Sequence, residues 1–258
     1  MTIVMVIHTL LHEVVMDTTS TSTIRANNSV AVIACAMDLE AEPMIALLDG
    51  AQSCTCGNAK CTTGFLAGRR VHVTVTGIGL VNAAVAATQA YLTFGDSLAA
   101  YLCAGTCGGL AATTGVLDVI IGTEFIYSRA DATAFGYAPG QVPGEPASFA
   151  AYAHYIAAAE TMRQNRNYRL LFGQVASSDA FVTTRSVEKT REVFPSALAA
   201  DMESTAAAQV CAKFAVPFIS IRAVSDLCGP QAGQDFHVDA GEAAAVSARA
   251  VADFFAQL

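Results

Sequence analysis

Beyond position 29 the chain reads as short apolar runs, each closed by small, turn-forming or acidic residues, with Ala-rich stretches of helical length between them. The first run, 30–36, carries no charge, as expected of a strand buried on both faces. Asp38, Glu40 and Glu42 follow it, and Pro43 suits the first turn of a helix, where acids also complement the helix dipole. Two short strands are expected at 61–66 and 70–76, joined by a hairpin near Gly68 and Arg69. Gly77-Ile78-Gly79 then turns into a helix over 83–94. A strand at 97–104 is expected to end in Gly105-Thr106-Cys107-Gly108-Gly109, a turn whose small residues let backbone approach a ligand. The pattern continues with a long strand over 116–127, a Gly- and Pro-rich loop over 131–149, a helix over 151–164 and a short strand over 173–176. A loop of that length in a compact domain is usually functional. After the strand-end loop 177–182 comes a helix at 187–194; the chain closes with a loop over 228–239 and a helix over 241–257.

The stretch 199–227 concentrates the candidate chemistry. Asp201 and Glu203 stand where an extended segment hands over to a helix over 204–214, whose Ala-rich surface is apolar nearly all round and is therefore expected to be buried. Pro217 ends the turn, 217–224 reads as a central strand, and Asp226 lies just past its carboxyl end, where open α/β sheets bind ligands. Acids embedded in apolar sequence are costly to bury unless paired or used, which makes them candidates for function.

Composition narrows the classes. At 258 residues with 53% hydrophobic content the chain can bury a substantial core. A net charge of -8 with 14 Lys and Arg argues against a nucleic-acid or membrane surface and for a small-molecule enzyme. Eight cysteines, several inside buried runs, suit a reducing compartment better than a disulfide framework. Cys54, Cys56 and Cys61 lack a C-x-x-C knuckle and a nearby His, so no metal is expected. Residues 1–29 are expected to be a disordered extension, too short in apolar run for a membrane helix and without the basic start of a secretory signal. Residues 30–258 show no linker and are expected to form one domain.

The segments Met37-Asp-Leu-Glu40-Ala, Gly105-Thr-Cys-Gly-Gly109, Thr133-Ala-Phe-Gly-Tyr137, Ser178-Asp-Ala-Phe181, Asp201-Met-Glu203 and Arg222-Ala-Val-Ser-Asp226 together resemble the 5′-methylthioadenosine/S-adenosylhomocysteine nucleosidases of the purine nucleoside phosphorylase superfamily. The form Ala-Met-x-x-Glu-Ala-x-Pro looks closer to the eukaryotic, plant-like branch than to the typical bacterial one. The resemblance implies an α/β single domain, a mixed twisted sheet partly closed into a barrel and flanked by helices. It implies a cytoplasmic homodimeric hydrolase of methionine salvage that needs no cofactor and takes an adenine nucleoside and water. Asp226 would be the acid at purine N7, positioned by Ser225, and Glu40 would activate water. Glu203 would accept the ribose hydroxyls, with Asp201 beside it and Met202 on the sugar. Phe181 would stack on adenine and the Val182 backbone would read its edge. Met37, Ile78, Thr106, Cys107 and Gly108 would line the sugar and base, and Phe236 would close from the late loop. Phe135, Tyr137 and Pro143 would reach across from the neighbouring subunit over the alkylthio tail.

Such a set answers the chemistry: N-glycosidic cleavage needs an acid for the leaving base and a second carboxylate for water. The alternative is a phosphate-dependent phosphorylase. It is disfavoured because the first strand-end loop carries Glu40 and no Arg, and the residues before Gly105 carry no cation, so phosphate would meet a carboxylate alone. Thr106-Cys107 departs from the Ser-Ala common in nucleosidases, and Asp201 stands where many members have Glu; both imply tuned specificity.

Overall fold

The computed structural model describes residues 29–56, 59–162, 168–228 and 232–258. The extension expected over 1–29 lies, apart from Ser29, outside the described residues. The strands are β1 (Val30–Cys35), β2 (Asp49–Cys56), β3 (Ala59–Leu66), β4 (Arg69–Val75), β5 (Leu98–Gly109), β6 (Val119–Tyr127), β7 (Phe149–Ala150), β8 (Leu170–Ser177), β9 (Ala197–Asp201) and β10 (Phe218–Asp226). The helices are α1 (Asp38–Ile45), α2 (Leu80–Phe94), α3 (Ala153–Thr161), α4 (Val187–Val193), α5 (Ser204–Lys213) and α6 (Ala232–Phe255).

All ten strands belong to one mixed sheet in the order β10-β6-β8-β9-β5-β1-β4-β3-β2, with β7 on β6. Because β10 also pairs with β5, the strands β5, β10, β6, β8 and β9 close into a five-stranded barrel, and β1, β4, β3 and β2 continue from it as an open wing. The chain therefore forms the single α/β domain with a partly closed sheet that its sequence suggests. β10 is buried at every position, including its two charged residues, Arg222 and the terminal Asp226. Two apolar layers hold the helices on. On one face Ile33, Leu102, Ile121 and Ile219 meet Val251 and Phe254 of α6. On the other Val32, Tyr101, Phe125 and Val224 meet Ala87 of α2 and Ala207 of α5. At about 25 cal/mol per Å² of apolar surface, burying such side chains is worth about 1.5–3 kcal/mol each before the entropy cost of ordering them.

Four sequence expectations need correction. The run 105–109 is not a turn: β5 continues through Gly109, with Gly108 and Gly109 paired to Ala200 and Ala199 of β9. β2 was not anticipated, because its sequence Asp-Gly-Ala-Gln-Ser-Cys-Thr-Cys is polar, as suits a sheet edge. β8 extends well beyond 173–176. The segment read as a loop to 239 is helical from Ala232. The β3–β4 hairpin falls where expected, its two-residue turn formed by Ala67 and Gly68 with φ of 48° and 76°.

β1, β5 and β10 run parallel, so their carboxyl ends open on the same side. Into that side also turn the ends of β8 and β9, where Ser177 pairs with Asp201. Glu40, Thr106, the pair Asp201 and Glu203, and Asp226 thereby converge from four separate places in the sequence.

Candidate active site

Of the three acids after β1, Asp38 and Glu42 are exposed, whereas Glu40 is 2% exposed and turned inward. Its Oε2 accepts the backbone N–H groups of Ala36 (2.9 Å) and Met37 (3.2 Å). Its Oε1 accepts the Thr106 N–H (2.7 Å) and the Thr106 hydroxyl (2.8 Å). Four donors thus fix one carboxylate between the end of β1 and the wall of β5, an arrangement in which charge-assisted bonds hold geometry strongly. Gly105 makes this approach possible: a Cβ there would lie 2.4 Å from the Glu40 carboxyl carbon, and its φ of 131° is a conformation that suits glycine.

The β9–α5 junction supplies the second group. Asp201 and Glu203 are buried and share Arg222, itself 2% exposed in the middle of β10. The guanidinium Nε lies 2.9 Å from Asp201 Oδ2 and Nη2 lies 3.1 Å from Glu203 Oε2. Nη1 donates to the Thr106 carbonyl at 3.0 Å, linking this cluster to the Glu40 cluster. Glu203 Oε1 accepts the Gly79 N–H at 2.9 Å, which explains the turn at 77–79. Arg222 is the residue that sequence reasoning missed, and it corrects the statement that phosphate would meet no cation. The signal was available, since a lone Arg inside an otherwise uncharged buried strand demands an anionic partner.

Burial is the main reason the Glu203 pKa rises to about 7; Arg222 pulls it down and Asp201 pushes it up. The sign follows from linkage. A carboxyl whose folded-state pKa exceeds its ordinary 4.5 binds its proton more tightly when folded, so its contribution to stability is present below about pH 4.5 and lost as pH rises to about 7. Glu203→Gln is expected to remove that portion of the slope, read as the difference between wild-type and variant urea midpoints at the two ends of the window.

Asp226 closes β10 with 2% exposure. Its Oδ1 accepts the Cys228 N–H at 3.0 Å and its Oδ2 accepts the Ser225 hydroxyl at 3.1 Å. Ser225 is also 3.3 Å from the Cys107 carbonyl, so the acid is oriented by its own strand and by β5. A Cβ on Gly108 would meet Cys228 Sγ at 2.5 Å and Asp226 Oδ1 at 3.4 Å, which accounts for the glycine.

These clusters line one cavity of about 410 Å³. Glu40, Asp201, Glu203, Ser225 and Asp226 face it, as do Met37, Ile78 and Met202. Thr106, Cys107 and Gly108 form part of the same wall, and Phe181 and Val182 stand at another. Phe181 and Ile78 are about half exposed, the former 48% and the latter 50%, so both sit at the mouth. Arg222 and Cys228 line it without having been anticipated. Phe135, Tyr137 and Pro143 do not line the cavity of this chain; Phe135 ends a 3-10 turn and is 84% exposed. Phe236 falls on α6, and its side chain lies outside the described residues. Among the described residues no helix is long and apolar enough to cross a membrane.

A family model described as the phosphorylase superfamily matches residues 30–257. The chain is similar to the crystal structure of 5′-methylthioadenosine/S-adenosylhomocysteine nucleosidase from Neisseria meningitidis in complex with methylthio-immucillin-A, with 36% identity and a TM-score of 0.84 over 89% of this chain and 100% of that one. It is similar also to the nucleosidase of the same description from Colwellia psychrerythraea 34H in complex with adenine, with 32% identity and a TM-score of 0.83 over 89% and 96% of the two chains. The S-adenosylhomocysteine nucleosidase from Streptococcus pyogenes in complex with 5-methylthiotubericidin gives 27% identity and a TM-score of 0.84 over 89% and 97%.

Proposed function

The chain belongs to the phosphorylase superfamily, and we propose that within it the protein is a hydrolase. It cleaves the N-glycosidic bond of 5′-methylthioadenosine, with S-adenosylhomocysteine and 5′-deoxyadenosine as related substrates, to release adenine. One observation carries the reading: among the described residues the cavity presents four carboxyl groups against a single guanidinium that two of them already hold. Phosphate would enter a net negative site whose cation is committed, whereas water meets no such barrier. The relatives in complex with adenine and with methylthio-immucillin-A support the same substrate class.

In this reading Asp226 donates a proton or a hydrogen bond to purine N7, so that adenine departs as a stable base while positive charge develops on the sugar. Ser225 orients it. Glu203 and Asp201 face the ribose, and Glu203 accepts its hydroxyls, each charge-assisted bond being worth about 1.5–3 kcal/mol. Glu40 holds the attacking water and takes its proton, and Thr106 and Arg222 keep the wall around Glu40 in place. Phe181 stacks on adenine, Val182 reads its edge through its backbone, and Met202, Ile78 and Met37 pack on the sugar and tail. Cys107 and Gly108 form the floor.

We further assign a cytoplasmic homodimer in which Phe135, Tyr137 and Pro143 of one protomer cover the tail site of the other, with Phe236 closing from α6. The exposed apolar face of α2, where Val81, Val85 and Leu92 are 72%, 50% and 75% exposed, supports a partner beside the cavity mouth.

The test is adenine release from 5′-methylthioadenosine with and without phosphate. Free methylthioribose at a rate that phosphate leaves unchanged is expected, and Glu40→Gln should lower that rate by about 10²–10⁴-fold. A sugar 1-phosphate, or turnover that waits for phosphate, makes the protein a phosphorylase instead. The same assay run through dimer dissociation tests the shared lid, since full activity in the monomer would remove it.

A further inference from the structure

The wing of the sheet holds a second cluster of chemistry-bearing side chains, none of which lines the cavity. Cys54 on β2 pairs directly with Cys61 on β3, and Cys61 pairs with Thr74 on β4, two residues along from His72. Directly opposed residues of antiparallel strands share a face, and so do residues two apart. Cys54, Cys61 and His72 therefore project from three successive strands onto one face. Their Sγ and ring nitrogen atoms all lie within 4.8 Å of one another, and Cys54 Sγ is 3.9 Å from His72 Nδ1.

We propose that Cys54, Cys61 and His72 form a binding site for a thiophilic divalent cation of the Zn²⁺ type. The ligand set is that of zinc sites, two thiolates and an imidazole, and two thiolates balance the charge of the ion. With Zn–S near ~2.3 Å and Zn–N near ~2.0 Å, a tetrahedral site has an S···N edge of roughly 3.5 Å, so the Cys54–His72 spacing needs only slight contraction. Packing already orients the imidazole, whose ring meets Phe94 of α2 edge-on at a centroid distance of 5.3 Å. Cys61 and His72 are 5% and 6% exposed while Cys54 is half-buried, which gives two sheltered ligands and an entrance from the sheet edge. Cys56 cannot be added to the set, since its side chain lies outside the described residues. A bound ion would tie β2, the polar edge strand, to β3 and β4. The histidine absent from the sequence neighbourhood of the cysteines is supplied by the fold.

The test uses the full chain with Zn²⁺ and with Co²⁺ as a spectroscopic stand-in. Reduced wild-type protein is expected to bind about one equivalent of either ion and, with Co²⁺, to show thiolate-to-metal charge transfer and tetrahedral ligand-field bands. Cys54→Ser and Cys61→Ser should lose the charge-transfer intensity, His72→Asn should shift the ligand-field bands, and Cys211→Ala should keep both. Zn²⁺ should raise the Tm of the wild type and leave that of Cys54→Ser unchanged, with adenine release retained in both. Bands that persist in the Cys54 and Cys61 variants, or a wild type that binds neither ion, would overturn the proposal.

Discussion

Asp226→Asn is expected to lower kcat for adenine release by about 10²–10⁴-fold, the range for removing a positioned general acid, while changing KM by no more than a few-fold. The substitution is chosen for its shape. Asn keeps an oxygen for the Cys228 N–H and places an amide toward Ser225, whose hydroxyl can reverse to accept, so the end of β10 and the cavity wall persist. What is lost is a proton that can be given to the purine. Single-turnover measurement at saturating 5′-methylthioadenosine reads the chemical step directly. Undiminished adenine release would mean that another group protonates the base. A rise in KM with kcat unchanged would make Asp226 a binding residue, since uniform loss of affinity leaves the chemical step alone.

The candidate site was legible where acids interrupt the ends of apolar runs. Glu40, Glu203 and Asp226 each follow or flank a strand that the pattern reveals, and a carboxylate in such a place is too costly to be incidental. What escaped notice did so for physical reasons. The run Gly105-Thr-Cys-Gly-Gly109 has the composition of a turn, yet it forms barrel wall, because the volume its missing Cβ atoms leave is occupied by Glu40, Cys228 and Thr114. Composition reports conformational freedom and says nothing of which side chain will claim the space. β2 escaped because an edge strand with mostly exposed positions lacks the alternation that a buried face imprints. His72 and the cysteines at 54 and 61 meet through strand register, which is set by the hairpins and is invisible as spacing. Arg222 was in plain view, but its meaning depends on Asp201 and Glu203, 21 and 19 positions earlier, arriving at the same depth in the barrel.

That dependence sets the second large effect. Arg222→Met is expected to destabilise the fold by about 3–5 kcal/mol at pH 8, because it leaves Asp201 and Glu203 buried without their cation and the Thr106 carbonyl without its donor. Met fills most of the volume of the lost side chain, so the deficit reports charge more than cavity. Glu203, whose pKa burial already raises to about 7, can escape the cost by taking up a proton. The deficit is therefore expected to shrink as pH falls toward 5, whereas a simple packing defect would be independent of pH. Urea unfolding at pH 8 and pH 5 separates the two. Adding Asp201→Asn and Glu203→Gln to Arg222→Met should recover much of the stability at pH 8, since a buried triad replaced whole by neutral groups loses less than one broken at a single member. It should not recover adenine release, because Glu203 is needed as an anion by the ribose and Arg222 as the bridge between the strand that carries Asp226 and the strand end that holds Glu40. Stability restored without activity would show that the charged triad as a whole serves the reaction rather than the fold.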